Sequence, residues 1–318
     1  MKAVFLDFAT VSNRDLDTRT LTAVLPELEF HEVSADAEIP GRIAGRAIVL
    51  VNKLRLDRAR IAASRALRLI AVAATGTNNI DLEAAREHNV GVCNVRDYCS
   101  TSVMQHVLAC ILSLTHRLRE YSRLAVDGSW EARPQFTMLD HPIRELRGRV
   151  LGIVGYGALG RAVAQGAQTA LGMRVLVANR PGGAREPGRL DLAELLPQAD
   201  VLSLHCPLTA ATQNLIGARE LAAMKPDALL INTARGGLID LEALAQALRA
   251  RRIGGAAIDV LPQEPPVDGS PLFAADLPNL LVTPHIAWSA REARQRCLDE
   301  MAANIVEFLR GGRRNRLV

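Results

Sequence analysis

Short runs of consecutive apolar residues recur along the chain, separated by stretches in which apolar positions return every three or four residues. Residues 3–8, 47–52, 69–73 and 90–93 are the first four runs, with helix-period segments at 56–66 and 82–88 between them. An unbroken apolar run of this length suits a strand buried on both faces, as in a parallel sheet. Alternation with helices predicts a small α/β domain. Residues 103–118 follow as one long apolar-periodic helix. Over residues 127–140 the period disappears and Trp130, Pro134 and Phe136 appear, which reads as a projecting arm whose aromatics suit a subunit contact.

A second series starts at Val150. Its runs are 150–154, 174–178, 201–204, 229–232, 256–260 and 280–282, with helical segments such as 241–251 between them, and the chain ends with an amphipathic helix over 290–310. Six strands with helical crossovers predict a doubly wound parallel sheet. The first run leads directly into Gly155-Tyr156-Gly157-Ala158-Leu159-Gly160 and then a helical pattern. In that context Gly155 permits the tight turn, Gly157 lets the backbone approach a pyrophosphate, and Gly160 lets the helix pack on the strand. The amides of Ala158 and Leu159 would face phosphates at the positive end of the helix dipole.

Bulk properties narrow the function. The chain has 318 residues, 49% hydrophobic and 23% charged, with a net charge of +4. No apolar run is long enough to span a membrane, and an acid at Asp7 comes too early for a secretory signal, so a cytoplasmic protein is expected. The arginines are spread as solvated helix faces, which argues against nucleic acid as a partner. Cys93, Cys99, Cys110, Cys206 and Cys297 are scattered and odd in number, so neither a metal site nor a disulfide framework is expected.

Three further segments carry chemistry: Ile231-Asn232-Thr233-Ala234-Arg235-Gly236-Gly237, Asp259-Val260-Leu261-Pro262-Gln263-Glu264, and Thr283-Pro284-His285-Ile286-Ala287-Trp288. Each follows a predicted strand and so belongs to the carboxyl edge of the sheet, where doubly wound folds bind ligands. With the glycine motif, these segments resemble the D-isomer-specific 2-hydroxyacid dehydrogenases over nearly the whole chain. Ala73-Ala74-Thr75-Gly76-Thr77 and Ser203-Leu204-His205-Cys206-Pro207 look most like the glycerate dehydrogenase (hydroxypyruvate reductase) branch.

The resemblance implies two doubly wound domains. A flavodoxin-like substrate domain would comprise 1–100 and 288–318, and a Rossmann-type dinucleotide domain with its dimerisation arm would comprise 101–287. It also implies a homodimer that interconverts a small 2-keto acid, hydroxypyruvate or glyoxylate, and its D-2-hydroxy acid. Arg235 matches the substrate arginine, whose planar fork of donors suits a carboxylate and a keto oxygen. His285 matches the general acid–base and Glu264 its carboxylate partner, which favours a charged ring and fixes its tautomer. Thr75 and Gly76 correspond to a loop that holds the substrate carboxylate, and Trp288 either walls that pocket or packs in the core. Thr233, Ala234, Asp259 and His285 correspond to contacts near the nicotinamide, and Cys206 and Pro207 to the adenine side. His205 and His106 read as satisfied structural histidines.

One departure bears on the cofactor. An NAD site usually has an acid at the end of its second strand, yet residues 174–178 lead to Asn179 and Arg180, with Asn179 19 residues past Gly160. A neutral amide does not repel a 2′-phosphate and a guanidinium can pair with it, which leans toward NADP or dual use. The alternative is Arg180 in solvent with Asn179 on the ribose. A second function class is a dinucleotide-sensing interaction protein of the corepressor type. Those carry long extra termini, whereas this chain stops soon after its last helix.

Overall fold

Each apolar run contains a parallel strand, and the strands form two sheets. The computed structural model describes residues 1–274 and 276–318, and these divide into two compact units, Met1–Cys99 with Trp288–Val318, and Ser100–Ala287.

In the first unit, β1 (Ala3–Phe5), β2 (Leu28–Phe30), β3 (Ile48–Val51), β4 (Leu69–Val72) and β5 (Gly91–Cys93) lie in the order β2-β1-β3-β4-β5, all parallel. The sequence reading missed β2 because Leu28-Glu29-Phe30 is a partly exposed edge strand with a charge at its centre. The helices are α1 (Arg19–Val24), α2 (Ile39–Ile43), α3 (Arg58–Ala63) and α4 (Leu82–Glu87). Asp57 and Asp81 cap α3 and α4 by accepting from the amides of Arg60 and Ala84 at 3.0 and 2.8 Å. The cap at Asp57 is why α3 starts inside the predicted 56–66 segment. Buried Asp7 accepts from the main-chain N–H groups of Asn52, Lys53 and Leu54, which offsets the cost of its burial.

The second unit opens with α5 (Ser100–Thr115) and α6 (Leu118–Val126). The sequence suggested a single helix over 103–118. Arg117 instead takes a left-handed backbone (φ 54°), which ends α5 and starts a new helix in a new direction. After an irregular segment come β6 (Val150–Val154), α7 (Ala158–Leu171), β7 (Arg174–Val177), α8 (Leu192–Leu195), β8 (Val201–Leu204), α9 (Ala218–Ala223), β9 (Leu229–Asn232), α10 (Leu241–Arg249), β10 (Gly255–Ile258) and β11 (Leu280–Val282). The sheet order is β11-β10-β9-β8-β6-β7, again all parallel. β6 pairs with β7 on one side and β8 on the other, so the chain leaves β6 in opposite directions, and ligands enter such sheets at the carboxyl ends of that switch point. The first unit has the same reversal about β1. Its returning segment supplies α11 (Arg291–Leu309), which packs on α1.

His205 continues β8 toward that switch point. Its amide donates to Val154 O at 2.7 Å and its Nε2 lies 2.9 Å from Ser203 Oγ. Its Nδ1 is buried and has no hydrogen-bond partner among the described residues, so the ring is only half satisfied. Burial pushes its pKa from 6.5 down to about 4. The unfolded chain therefore takes up a proton that the fold resists. Stability from this ring is complete above about pH 6.5 and drains away as pH falls toward 4. Denaturant unfolding of His205→Gln should show roughly 2–3 kcal/mol less acid destabilisation than the parent between pH 7 and 4.5. Identical pH dependence in the two proteins would mean that His205 protonates freely in the fold.

Candidate active site

The chemistry-bearing segments all leave carboxyl ends of strands in the second unit. After β6, Gly155 has φ +97° and no room for a side chain: a Cβ there would lie 2.5 Å from Cys206 N. Cys206 is buried, which raises its thiol pKa to about 11, and Pro207 O accepts from Thr212 Oγ1 at 2.8 Å. The glycine turn is thus seated on the 205–207 segment. A Cβ on Gly160 would come 2.1 Å from Gly155 O, so α7 lies directly on the turn. A Cβ on Gly157 would meet nothing within 4 Å. The N-terminus of α7 therefore has open space beside it, and the first-turn amides at Ala158 and Leu159 have no acceptor within the helix.

Beyond β9, Asn232 is fully buried and clamps the next turn. Its Nδ2 donates to Arg235 O at 2.8 Å and its Oδ1 accepts from Ala234 N at 3.0 Å. Between them, Thr233 Oγ1 is buried without a hydrogen-bond partner among the described residues. Arg235 is partly exposed and its Nη1 donates to Ala234 O at 2.6 Å. A Cβ on Gly236 would sit 2.1 Å from Leu261 C, so the Arg235 turn and the loop after β10 are in backbone contact. That second loop carries Glu264, whose Oε1 accepts from Leu261 N and whose Oε2 lies 2.7 Å from His285 Nδ1. The structure thereby joins Glu264 to His285 directly and to Arg235 through packed loops.

His285 has a left-handed backbone (φ +56°), and its amide donates to Asp259 O at 2.8 Å. Asp259 is buried, and its carboxylate accepts from Thr283 Oγ1 at 2.5 Å and from the amides of Ile286 and Ala287, each at 2.9 Å. The resemblance suggests a nicotinamide contact for Asp259, and in this fold its carboxylate also holds this loop. Sequence reasoning also passed over Asn232, hidden at the end of an apolar run.

At the end of β7, Asn179 Nδ2 donates to Asp191 Oδ1 at 2.8 Å and its Oδ1 accepts from Glu186 N at 3.0 Å, so its amide staples the 180–191 loop. Asp191 also pairs with Arg185. The fold thus brings a carboxylate beside the strand end although the sequence places none there. Arg180 is exposed and has no ion-pair partner among the described residues.

In the first unit, Thr75 and Gly76 lie in the turn after β4. Thr75 Oγ1 donates to Val95 O at 2.8 Å and its carbonyl accepts from Asn94 Nδ2 at 2.7 Å. Among the described residues the amides of Thr75 and Gly76 have no acceptor. Trp288 is half-buried and meets Tyr98 edge-on, with ring centroids 6.2 Å apart. No group of three or more His, Cys, Asp or Glu side chains among the described residues could hold a metal ion, and all five cysteines are buried free thiols. No helix among the described residues is long and apolar enough to cross a membrane.

Residues 108–287 match the family model for the NAD-binding domain of D-isomer specific 2-hydroxyacid dehydrogenases. The chain is 43% identical to a glycerate dehydrogenase of Methylorubrum extorquens, over 94% of this chain and 96% of that protein. It is 35% identical to a hydroxypyruvate reductase of Blautia hydrogenotrophica, over 98% of both. A solved structure of a Thermus thermophilus protein superposes with a TM-score of 0.87 at 35% identity, covering both chains in full. By the match of its second unit and these full-length likenesses, the chain belongs to the D-isomer specific 2-hydroxyacid dehydrogenases and is a nicotinamide-dinucleotide-dependent oxidoreductase.

Proposed function

We propose that this protein is a cytoplasmic, homodimeric reductase of a small 2-keto acid, with hydroxypyruvate or glyoxylate as substrate and D-glycerate or glycolate as product. The observation that carries the reading is the 2.7 Å contact between His285 Nδ1 and Glu264 Oε2 on loops packed against the Arg235 turn. A ring held at Nδ1 by a carboxylate keeps Nε2 for proton transfer. The names of the two relatives support the substrate class.

The residues fit a dinucleotide. The open side of Gly157, the uncapped first turn of α7 and the orphaned Thr233 hydroxyl are a cradle and a donor that a phosphate and a nicotinamide would occupy. Ala158, Leu159 and Gly160 would hold the pyrophosphate, Cys206 and Pro207 the adenine side, and Thr233 and Ala234 the nicotinamide side. When bound, the dinucleotide supplies a hydride in reduction and takes one up in oxidation. Arg235 pairs with the substrate carboxylate and polarises the keto oxygen. Within the first unit, the amides of Thr75 and Gly76 suit an anionic oxygen, and Trp288 packs on Tyr98. In reduction His285 donates its Nε2 proton to the C2 oxygen, and in oxidation it takes that proton back. Glu264 keeps the ring oriented.

His285→Ala should lower kcat by at least ~100-fold, with the dinucleotide dissociation constant unchanged by fluorescence titration. A near-parental kcat would take His285 out of the mechanism.

Both NADPH and NADH are used, with a lean to NADPH. The exposed Arg180 guanidinium is available to a 2′-phosphate, and Arg185 offsets the charge of Asp191. Arg180→Ala should raise the KM for NADPH about 10-fold more than that for NADH, the worth of one charge-assisted contact. Equal effects on the two cofactors would place Arg180 in solvent.

The homodimer rests on the 118–143 region. Val126, Phe136 and Leu139 there are 86–90% exposed, and the arm is braced by a hydrogen bond from Trp130 Nε1 to Phe136 O and an Arg133–Asp140 ion pair. Large exposed apolar side chains on a braced arm mark an interface. The double variant Phe136→Ser with Leu139→Ser should sediment as a monomer where the parent sediments as a dimer. A monomeric parent would refute the assignment.

A further inference from the structure

Helix α5 carries Ser102, His106 and Cys110 at four-residue spacing, so the three share one stripe. Ser102 and His106 meet the framework around Asp259 and the loop after β11. Ser102 Oγ donates to Ala287 O at 2.7 Å, His106 Nε2 lies 3.3 Å from Thr283 Oγ1, and buried Cys110 feels the charge of Asp259. Thr283 connects the stripe to the carboxylate. Its single hydroxyl proton goes to Asp259 Oδ1 at 2.5 Å, so toward His106 it can only accept, and His106 must carry its proton on Nε2. The same nitrogen lies 3.8 Å from Asp259 Oδ1.

The consequence falls on His285. Residue 285 sits in the left-handed region, which a non-glycine residue keeps only when its surroundings hold it there. The surroundings are these bonds. Asp259 grips Thr283 on one side of His285 and Ile286 and Ala287 on the other, and Ser102 fixes Ala287 from the helix. We infer that Thr283, set by His106, is a positioning residue for the reaction: the relay from α5 through Thr283 to Asp259 holds the backbone that aims the His285 ring. This rests on His285 as the acid–base group. Neither Thr283 nor His106 is assigned a contact with substrate or cofactor, so each acts through the loop.

The relay predicts a loss in kcat that tracks one hydroxyl and one N–H rather than bulk. Thr283→Val keeps the shape and removes the hydroxyl. It should lower kcat by ~10-fold or more, since small displacements of a catalytic group are costly, while keto-acid KM, dinucleotide affinity and Tm stay near parental. Thr283→Ser returns the hydroxyl and should restore kcat to within about twofold. His106→Leu should lower kcat in the same manner, and His106→Gln, whose amide can donate to Thr283, should recover most of it. The histidine pair stands in for the threonine pair if Thr283→Val fails to fold. His285→Ala is run beside them. An inactive His285→Ala with parental kcat in both Thr283→Val and His106→Leu would overturn the relay and leave the acid–base reading intact. Equal losses in the Ser and Val variants, or in the Gln and Leu variants, would overturn the relay too. Near-parental kcat in His285→Ala would remove both the relay and the reading beneath it.

Discussion

One buried carboxylate organises the chemical end of the larger sheet. Asp259 ends β10 with almost no exposed surface, and a charge there is tolerable only because donors surround it. Among the described residues the three donors that bond its carboxylate all come from the segment after β11, so the requirement to satisfy Asp259 dictates the path of that segment. His285 falls inside the path, and its main-chain amide returns to the carbonyl of Asp259 itself. The same logic recurs one strand over. Asn232, fully buried at the end of β9, spends both ends of its amide on the turn that presents Arg235. The reactive side chains project from turns whose paths are held by buried polar groups.

Glycine sets how closely those backbones approach. Gly236 lets the Arg235 turn rest against the Leu261–Pro262 peptide, and Gly155 and Gly160 let the first turn rest against both β8 and α7. At these three positions an added methyl group would meet main-chain atoms, which cannot move aside as a side chain can. Gly157 is the contrast, with empty space beside it where the others are crowded. Within the β6–α7 turn, crowding at Gly155 and Gly160 with clearance at Gly157 is the pattern expected of a turn that is packed on the protein side and open on the ligand side.

Much of this was legible in the sequence because parallel strands buried on both faces are written as uninterrupted apolar runs, and because glycine spacing reports backbone approach. The edge strand Leu28–Phe30 was not legible, since Glu29 is exposed, its neighbours are only partly buried and it has no run to show. The break at Arg117 was hidden because apolar spacing continues from α5 into α6 although the backbone turns left-handed between them. Asn232 was hidden at the end of an apolar run, and other contacts at the site were hidden because they are long-range hydrogen bonds. Asp191 reaches Asn179 across a 12-residue separation and supplies a carboxylate beside a strand end where the local sequence has none. His106 meets Thr283 across 177 residues. Nothing in local periodicity encodes such pairs, and only the fold that brings the two segments together reveals them.

The central claim is that this assembly performs hydride chemistry on a short 2-keto acid rather than merely sensing a dinucleotide. Steady-state turnover of NADPH and NADH against a panel of hydroxypyruvate, glyoxylate, pyruvate and longer 2-keto acids, reported as kcat/KM, tests it directly. The account predicts turnover with the highest efficiency on hydroxypyruvate or glyoxylate. Tight dinucleotide binding with no turnover of any 2-keto acid in the panel would contradict it.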